Sequence, residues 1–350
     1  MPQAPRKASC VSHSDRPLSG LFAIAKPSGP TSMALLDELK PLLASSSLFY
    51  ERDAPPPFRG PRKNARRLKP WERALVAKCG RVPPKLGQGG TLDPLAEGVL
   101  VVGVGAATKQ LQHFLACTKE YRTTGLLGTA TTSYDSNEPV LRHAPHSHVS
   151  AGVLKAKLPL FTGHLQQIPP VYSAIRMDGR RLFEYAREGI PLPRPIKPRA
   201  VSVKELRLVE WLSPGEHSYA PPTAEVPAPD RALFEKMRAM AAFHGVYDTV
   251  KEEASGEGGS EDGAAHVVRL IRTRQGQFSL GSAAGDARTS TGADAHIALP
   301  GNCIPWSVFE RGLAELRAAK ENPTQPALDT RDESGLREWE RVLLSRMELA

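Results

Sequence analysis

The sequence is short of cysteine. Four residues, Cys10, Cys79, Cys117 and Cys303, are spread over 350 positions with no C-x-x-C among them. That spacing excludes a zinc finger or ribbon, whose ligands come in close pairs. Free thiols in a reducing compartment are expected. Long apolar runs are missing too. No stretch approaches the roughly 20 residues that cross a bilayer as a helix, and the N-terminus has no hydrophobic core of a secretory signal. No internal repeat is present. Nucleotide-binding motifs come close and fail. After the apolar run "GVLVVGV", Gly103 and Gly105 are followed by Thr108, where a dinucleotide turn needs a small residue for strand–helix packing. The nearest acid downstream, Asp135, stands beyond the roughly 20-residue spacing that the fingerprint requires. Lys109 is followed by Gln110, not by the Ser or Thr of a phosphate-binding loop. These glycines read as a strand end and a tight turn.

What the chain has is positive charge: formally +9, with a pI near 9.4. A basic excess favours polyanions through phosphate neutralisation and counterion release; a merely soluble basic enzyme has the same balance. The length suits one large domain or two. Residues 1–19 read as a disordered tail. Its Arg6, Lys7 and Arg16 against Asp15, with several serines, are weakly like a mitochondrial presequence. Order begins with an apolar strand from Leu21 that meets a turn at Pro27–Pro30, where Thr31 and Ser32 can cap the helix of "MALLDELKPLL". Residues 45–84 shift to proline and positive charge. Their cluster of Arg62, Lys63, Arg66, Arg67 and Lys69, with Trp71 nearby, suits either a phosphate-tracking insert or a solvated loop.

Further along, "AATKQLQHFLAC" predicts a helix, "KEYRTTGLLGTATTSYD" a strand, and residues 150–164 another helix. "VYSAIRMDGRRLFEYAREG" predicts a strand, an Asp178–Gly179 turn and a helix stopped by Gly189. "PRAVSVKELRLVEWL" is a further strand. Residues 213–264 are rich in proline, glycine and acids and read as a linker-like insert with one short helix. "AAHVVRLIRTRQGQFSL" predicts a helix or strand followed by a basic strand. Residues 301–350 predict a C-terminal extension of two surface helices. The mixture implies an α/β or α+β domain.

"GQGGTLDPLAEG" holds the most pointed local signal. Gly87, Gly89 and Gly90 let the backbone approach a ligand closely or take positive φ. Pro94 pushes Asp93 toward an extended conformation, which suits nucleophilic or electrostatic work. Taken alone, "TLDP" is equally an Asx-turn or a helix cap.

"GGTLDPLAEGVLVVGVGAATK" resembles the catalytic motif of the TruB family of RNA pseudouridine synthases, and other stretches resemble that family in the same order. "AIAKPSGPTS" is similar to its K-P-x-G-x-T-S motif and "KEYRTTGLLGTATTSYD" to the strand with its K-x-Y tyrosine. "FTGHLQQIPPVYSAIRMDGRRLFEYAREG" is similar to its F-x-G…Q-x-P-P-x-Y-S-A segment, and "LIRTRQGQFSL" to its closing L-x-R-T-x-x-G strand. The resemblance covers roughly residues 21–280 and points to the fungal-type branch, whose members make pseudouridine at position 55 of the tRNA T-loop. It implies a pseudouridine-synthase fold over residues 20–300, with a central mixed, largely antiparallel sheet flanked by helices. No cofactor and no membrane partner are implied; a monomer acting on the tRNA T-arm, in the nucleus and/or the mitochondrion or otherwise in the cytoplasm, is expected.

The resemblance gives Asp93 the nucleophile's place and Tyr121 that of the tyrosine packed on the flipped-out base. It assigns Lys26, Gln88, Gly90, Tyr172, Leu270 and Arg272 to RNA binding, Lys26 to a phosphate. Two departures stand out. Bacterial members have His at the position of Gln88, and glutamine does not titrate. The family also has a strand ending in an S-x-G-T-Y-x-R-S-like motif between "KELRLVEWL" and "GAAHVVRL", which supplies an arginine paired with the aspartate and a second tyrosine. Here "FHGVYDTVKEEAS" offers Gly245 and Tyr247 without that arginine. Either a segment has been lost from the sequence, the favoured reading, or the chain is a relative that binds tRNA with impaired catalysis. Loss of a central strand is expected to open the sheet.

Overall fold

The strand at Gly20–Lys26 (β1) buries every second residue, Gly20, Phe22, Ile24 and Lys26, as the two-residue period of a strand dictates. Thr31 caps the helix Ser32–Ser45 (α1) by accepting the Ala34 N–H at 3.0 Å, and Leu35, Leu36, Leu39, Leu42 and Leu43 form the buried stripe of that helix. Then follow a helix at Pro70–Cys79 (α2), strands at Leu86–Gln88 (β2) and Gly98–Val104 (β3), and a 3-10 stretch leading into a short helix at Gln112–Ala116 (α3). Strands Lys119–Leu126 (β4), Thr129–Thr131 (β5) and Val140–His143 (β6) precede a helix at Ala151–Lys157 (α4). Next come Gly163–Gln167 (β7), Arg176–Met177 (β8), Arg180–Arg181 (β9), the helix Leu182–Glu188 (α5), and the long strands Arg199–Leu212 (β10) and Val267–Gln275 (β11). Ile304–Pro305 (β12), helices Trp306–Glu321 (α6) and Glu338–Arg346 (α7), and Glu348–Leu349 (β13) complete the chain. The structure, a computed structural model, describes residues 16–51, 70–132, 134–169, 175–188, 190–232, 265–275, 303–321, 331–333 and 335–349.

The chain divides into two compact units, Met1–Leu115 with Asp294–Ala350, and Ala116–Ala293. In the first, a mixed sheet runs β12-β1-β3-β2, with β13 also on β1; β1 and β12 are parallel and the other pairs antiparallel. Its core joins Phe22, Ile24 and the α1 leucines to Trp306, Phe309, Leu313, Trp339 and Leu343. The two C-terminal helices lie at the surface, as expected, and each lays one apolar face on this core. Their apolar residues recur every three to four positions, and the face of β1 that the pattern covers is as apolar as they are. The second unit has an antiparallel sheet, β4-β11-β10-β7, and two hairpins, β5-β6 and β8-β9. The architecture is the expected mixed α/β, with largely antiparallel pairing.

Other expectations shift in detail. The strand foreseen from Lys119 breaks after Leu126, at the Gly128 turn, into β4 and β5. The Asp178–Gly179 turn closes the β8-β9 hairpin with φ of 50° and 85°, and α5 follows β9 directly. Gly189, Tyr172 and the basic cluster at 62–69 lie outside the described residues. The flanks of that cluster are firmly built. Arg81 is buried and donates to the carbonyls of Ala44 (2.6 Å) and Ser46 (2.7 Å), its guanidinium carbon lies 3.5 Å from the Tyr50 ring centroid, and Tyr50 donates its hydroxyl to Val82 O at 2.8 Å. Residues 213–232 are knitted into the second unit as well: Val226 N donates to Val140 O, Val140 N to Ala224 O, and a His217 ring nitrogen lies 2.7 Å from Ala265 O. Among the described residues no helix is long and apolar enough to cross a membrane.

Candidate active site

Asp93 stands on the loop between β2 and β3, and the connection from β1 to α1 grips that loop. Lys26 is 2% exposed, and its ammonium group donates to the carbonyls of Pro27 (2.9 Å), Pro94 (2.9 Å) and Ala96 (2.8 Å). An ammonium has three hydrogens, and three carbonyls take them. Gly29 N also donates to Pro94 O at 2.8 Å, and Ser28 Oγ to Leu95 O at 3.1 Å. Ser32 Oγ both donates to Leu92 O (3.0 Å) and accepts from Leu92 N (2.9 Å). The loop closes on itself through Ala96 N to Asp93 O at 3.0 Å. The backbone on both sides of Asp93 is therefore fixed, while Asp93 is exposed. Restraint of this kind holds a nucleophile in one geometry without burying its charge.

The expected phosphate contact of Lys26 is not what the structure shows. Lys26 has the same strand parity as Phe22 and Ile24, so β1 carries it inward, where it braces the loop from beneath. That parity was available in "LFAIAK". Ser28 and Gly29 were not singled out from the sequence and Ser32 was named only as a helix cap; their signal was the K-P-x-G-x-T-S spacing itself, which repeats small polar residues where a neighbouring backbone needs partners.

Gln88 ends β2, opposite Val102, and donates Nε2 to Thr91 Oγ1 at 2.8 Å. Its Oε1 is buried, with no hydrogen-bond partner among the described residues. Gly90 has φ of 145°, which an L side chain rarely adopts, and a methyl group there would meet nothing within 4 Å. Gly89 is small for a different reason: a Cβ would come within 2.9 Å of Phe114 Cβ. The structure thus brings Lys26, Gln88, Gly90 and Asp93 together in the first unit.

The second unit brings together Tyr121, Leu270 and Arg272. In the β4–β11 register Tyr121 faces Arg272 and Thr123 faces Leu270, so one face of the sheet carries all three candidates. The Arg272 guanidinium carbon lies 5.5 Å from the centroid of the Tyr121 ring, within cation–π range. Arg269 has opposite parity and is committed elsewhere, to Glu210 and to the Tyr219 hydroxyl, which hold its guanidinium above its ordinary pKa. The side chain at 274 lies outside the described residues. Among the described residues no group of three His, Cys, Asp or Glu side chains is placed to hold a metal ion.

Comparison with known proteins covers part of each set, Gln88, Gly90 and Asp93 in the first unit and Tyr121 in the second. The family described as TruB family pseudouridylate synthase (N terminal domain) matches residues 77–220, a span from the approach to Asp93 past the strand of Tyr121. The chain is 46% identical over 205 residues to tRNA pseudouridine synthase 4 of Schizosaccharomyces pombe, covering 58% of this chain and 47% of that protein. It is 34% identical over 279 residues to the mouse pseudouridylate synthase TRUB1, covering 79% and 69%. It is 35% identical over 196 residues to tRNA pseudouridine synthase B of Bacteroides fragilis, covering 56% and 74%. The chain spans about half the length of its fungal relatives. With more than two thirds of a mammalian and of a bacterial pseudouridine synthase matched at about a third identity, the chain belongs to the TruB family of pseudouridylate synthases.

Proposed function

We propose that this chain converts a uridine of tRNA into pseudouridine, at position 55 of the T-arm loop, with Asp93 as the nucleophile. The carrying observation is the Asp93 loop: an exposed carboxylate whose flanking backbone is held by Lys26, Ser28, Gly29 and Ser32. The names of the fungal and bacterial relatives support the substrate class.

The chemistry breaks the glycosidic C–N bond, rotates the uracil and forms a C–C bond, with loss of the proton from C5. As the C–N bond breaks, ribose C1′ becomes electron-poor. A carboxylate on that face traps or stabilises it, as in retaining glycosidases. Nothing is oxidised and no water is consumed, so a single well-placed carboxylate carries the main step. The base lies inside a folded RNA loop and has to be flipped out and held. Tyr121 supplies a ring for stacking and, as its phenolate, a base for the C5 proton, which reappears on the uracil nitrogen freed from the ribose or in solvent. Arg272, over the same ring, adds positive charge beside a polyanion.

T-arm RNA tritiated at uracil C5 tests this directly, because isomerisation releases the label into water. Release by the wild-type chain that falls at least about a thousandfold in Asp93→Asn, with RNA binding nearly intact, is the expected outcome. If binding collapses with turnover, Asp93 is structural and the assignment fails. A second reading, a tRNA-binding relative without isomerase activity, is favoured by the missing S-x-G-T-Y-x-R-S motif. Binding without any release by the wild type selects it.

A further inference from the structure

The clamp holds Leu92 to Ala96 and leaves Thr91, two residues before Asp93, to a different partner. In extended chain, side chains at i and i+2 share a side and that at i+1 points the other way. Leu92, half-buried, packs against the core of the first unit; Thr91 is half-buried as well, and Asp93 is exposed. Thr91 and Asp93 therefore share the outer side of the loop. Thr91 Oγ1 accepts the amide hydrogen of Gln88 at 2.8 Å, while the Gln88 Oε1 stays buried without a partner among the described residues. A buried acceptor left unsatisfied calls for a reason, and orientation of the Thr91 hydroxyl supplies one. A hydroxyl offers two acceptor pairs and one proton; Gln88 occupies one pair and fixes the direction of the other. The space beside Gly90 is open.

We propose that Thr91 Oγ1 hydrogen-bonds the ribose 2′-hydroxyl of the target uridine, and that Gln88 is the positioning residue that aims it. The inference rests on Asp93 acting at C1′. The 2′-oxygen is one carbon away from C1′, and residues two apart in extended chain have Cα atoms about 7 Å apart. Two side chains converging from that spacing address one ribose from one side. As C1′ becomes electron-poor the neighbouring hydroxyl becomes more acidic, so a contact that accepts its hydrogen strengthens along the reaction. DNA lacks that hydroxyl, so the contact also selects RNA. Gln88 thereby acts through Thr91 and has no need to titrate.

The test is a four-way comparison of dissociation constants by filter binding. Wild type and Thr91→Val are each measured with T-arm RNA carrying ribose or 2′-deoxyribose at the target uridine. The same four dissociation constants measured in an Asp93→Asn background, where no RNA is converted, remove any contribution from turnover. Valine has the shape of threonine without its hydroxyl, and folding is expected to survive. Thr91→Val is expected to weaken the ribose form about 3- to 10-fold and the deoxy form hardly at all, with Thr91→Ser restoring affinity. Gln88→Leu is expected to reduce the same discrimination, and kcat/KM for tritium release falls with it. Equal weakening of both RNAs, or of neither, overturns the proposal, because independent groups add and only touching groups couple. Wild type that discriminates ribose from deoxyribose through Thr91 but releases no tritium keeps this contact and sinks the isomerase reading. Wild type that binds neither RNA overturns both.

Discussion

Replacing Lys26 with methionine keeps an unbranched side chain one atom shorter and removes the three ammonium hydrogens. The carbonyls of Pro27, Pro94 and Ala96 then lose a donor. A buried acceptor left without a partner costs about 1–3 kcal/mol. The Ala96 contact is buried and bears that full penalty; the other two are part-buried and recover some water, and Pro94 O keeps Gly29 N. The sum is roughly 2–4 kcal/mol. For a unit of this size each kcal/mol shifts Tm by roughly 2–4 °C, so a fall of about 5–15 °C is expected. Turnover should suffer more than the melting curve suggests, since a catalytic loop displaced by about 1 Å loses on the order of a hundredfold in rate. Circular-dichroism melts, tritium release and T-arm binding, measured together on wild type and Lys26→Met, separate two roles. A brace lowers Tm and kcat and spares binding. A phosphate ligand would leave Tm unchanged, weaken binding for every RNA, and reduce the slope of log K against log salt by about one. The second pattern would refute the reading of Lys26 as buried support.

Two other expectations follow from the first unit. Burial pushes the Tyr50 phenol up to about 12, an effect that the Arg81 guanidinium against it only partly offsets. The folded state therefore favours the protonated phenol, and its contribution to stability is complete below about pH 10 and lost as pH rises toward 12. Denaturant midpoints measured from pH 9 to 12 should fall less steeply in Tyr50→Phe than in wild type; parallel curves would show that the phenol does not ionise late. Phe309 is wholly buried against Phe22 and Trp306, so Phe309→Ala should cost about 3–5 kcal/mol by chemical denaturation. A cost below about 1 kcal/mol would mean that the C-terminal helix is a peripheral addition.

Much of the site was legible because the chemistry is local in the chain. Asp93 sits between Gly90 and Pro94, neighbours that suggested a restrained carboxylate, although alone they fit an Asx-turn or a helix cap equally and the family motif decided between them. The alternation around Tyr121 was visible, whereas the segment of Leu270 and Arg272 read as helix or strand and the resemblance supplied those two residues; the face shared with Tyr121 follows once β4 and β11 pair. The support of the site was harder to see because it comes from a distant part of the sequence. Ser32 reaches Leu92 across 60 positions and Lys26 reaches Ala96 across 70, and a lysine beside a turn normally reads as a surface charge. The docking of the C-terminal helices was not legible for a related reason. "WSVFERGLAEL" has the period of any amphipathic helix, and period does not say which apolar surface it will cover; the Phe22 and Ile24 face of β1 decided that.

The expected break in the second sheet has a physical resolution. Residues Arg199–Leu212 and Val267–Gln275 pair directly, in an antiparallel register that runs from Ser202↔Gln275 to Leu212↔Val267 with two bulges. Complementary side chains support that register: Leu208 faces Leu270, Trp211 faces Val268, and Glu210 faces Arg269 with an ion pair between them. A strand inserted between β10 and β11 would break each of these pairs. Among the described residues the sheet can accept a further strand only at its edges, β4 or β7. The sheet therefore closes without the S-x-G-T-Y-x-R-S segment, and its loss bears on chemistry more than on the integrity of this sheet. If the chain releases tritium in an Asp93-dependent way, the cation that partners the carboxylate comes from outside the expected motif. Arg272→Gln then tests the separate role given to Arg272, positive charge beside Tyr121: weaker RNA binding is expected, and unchanged binding and kcat would set that role aside.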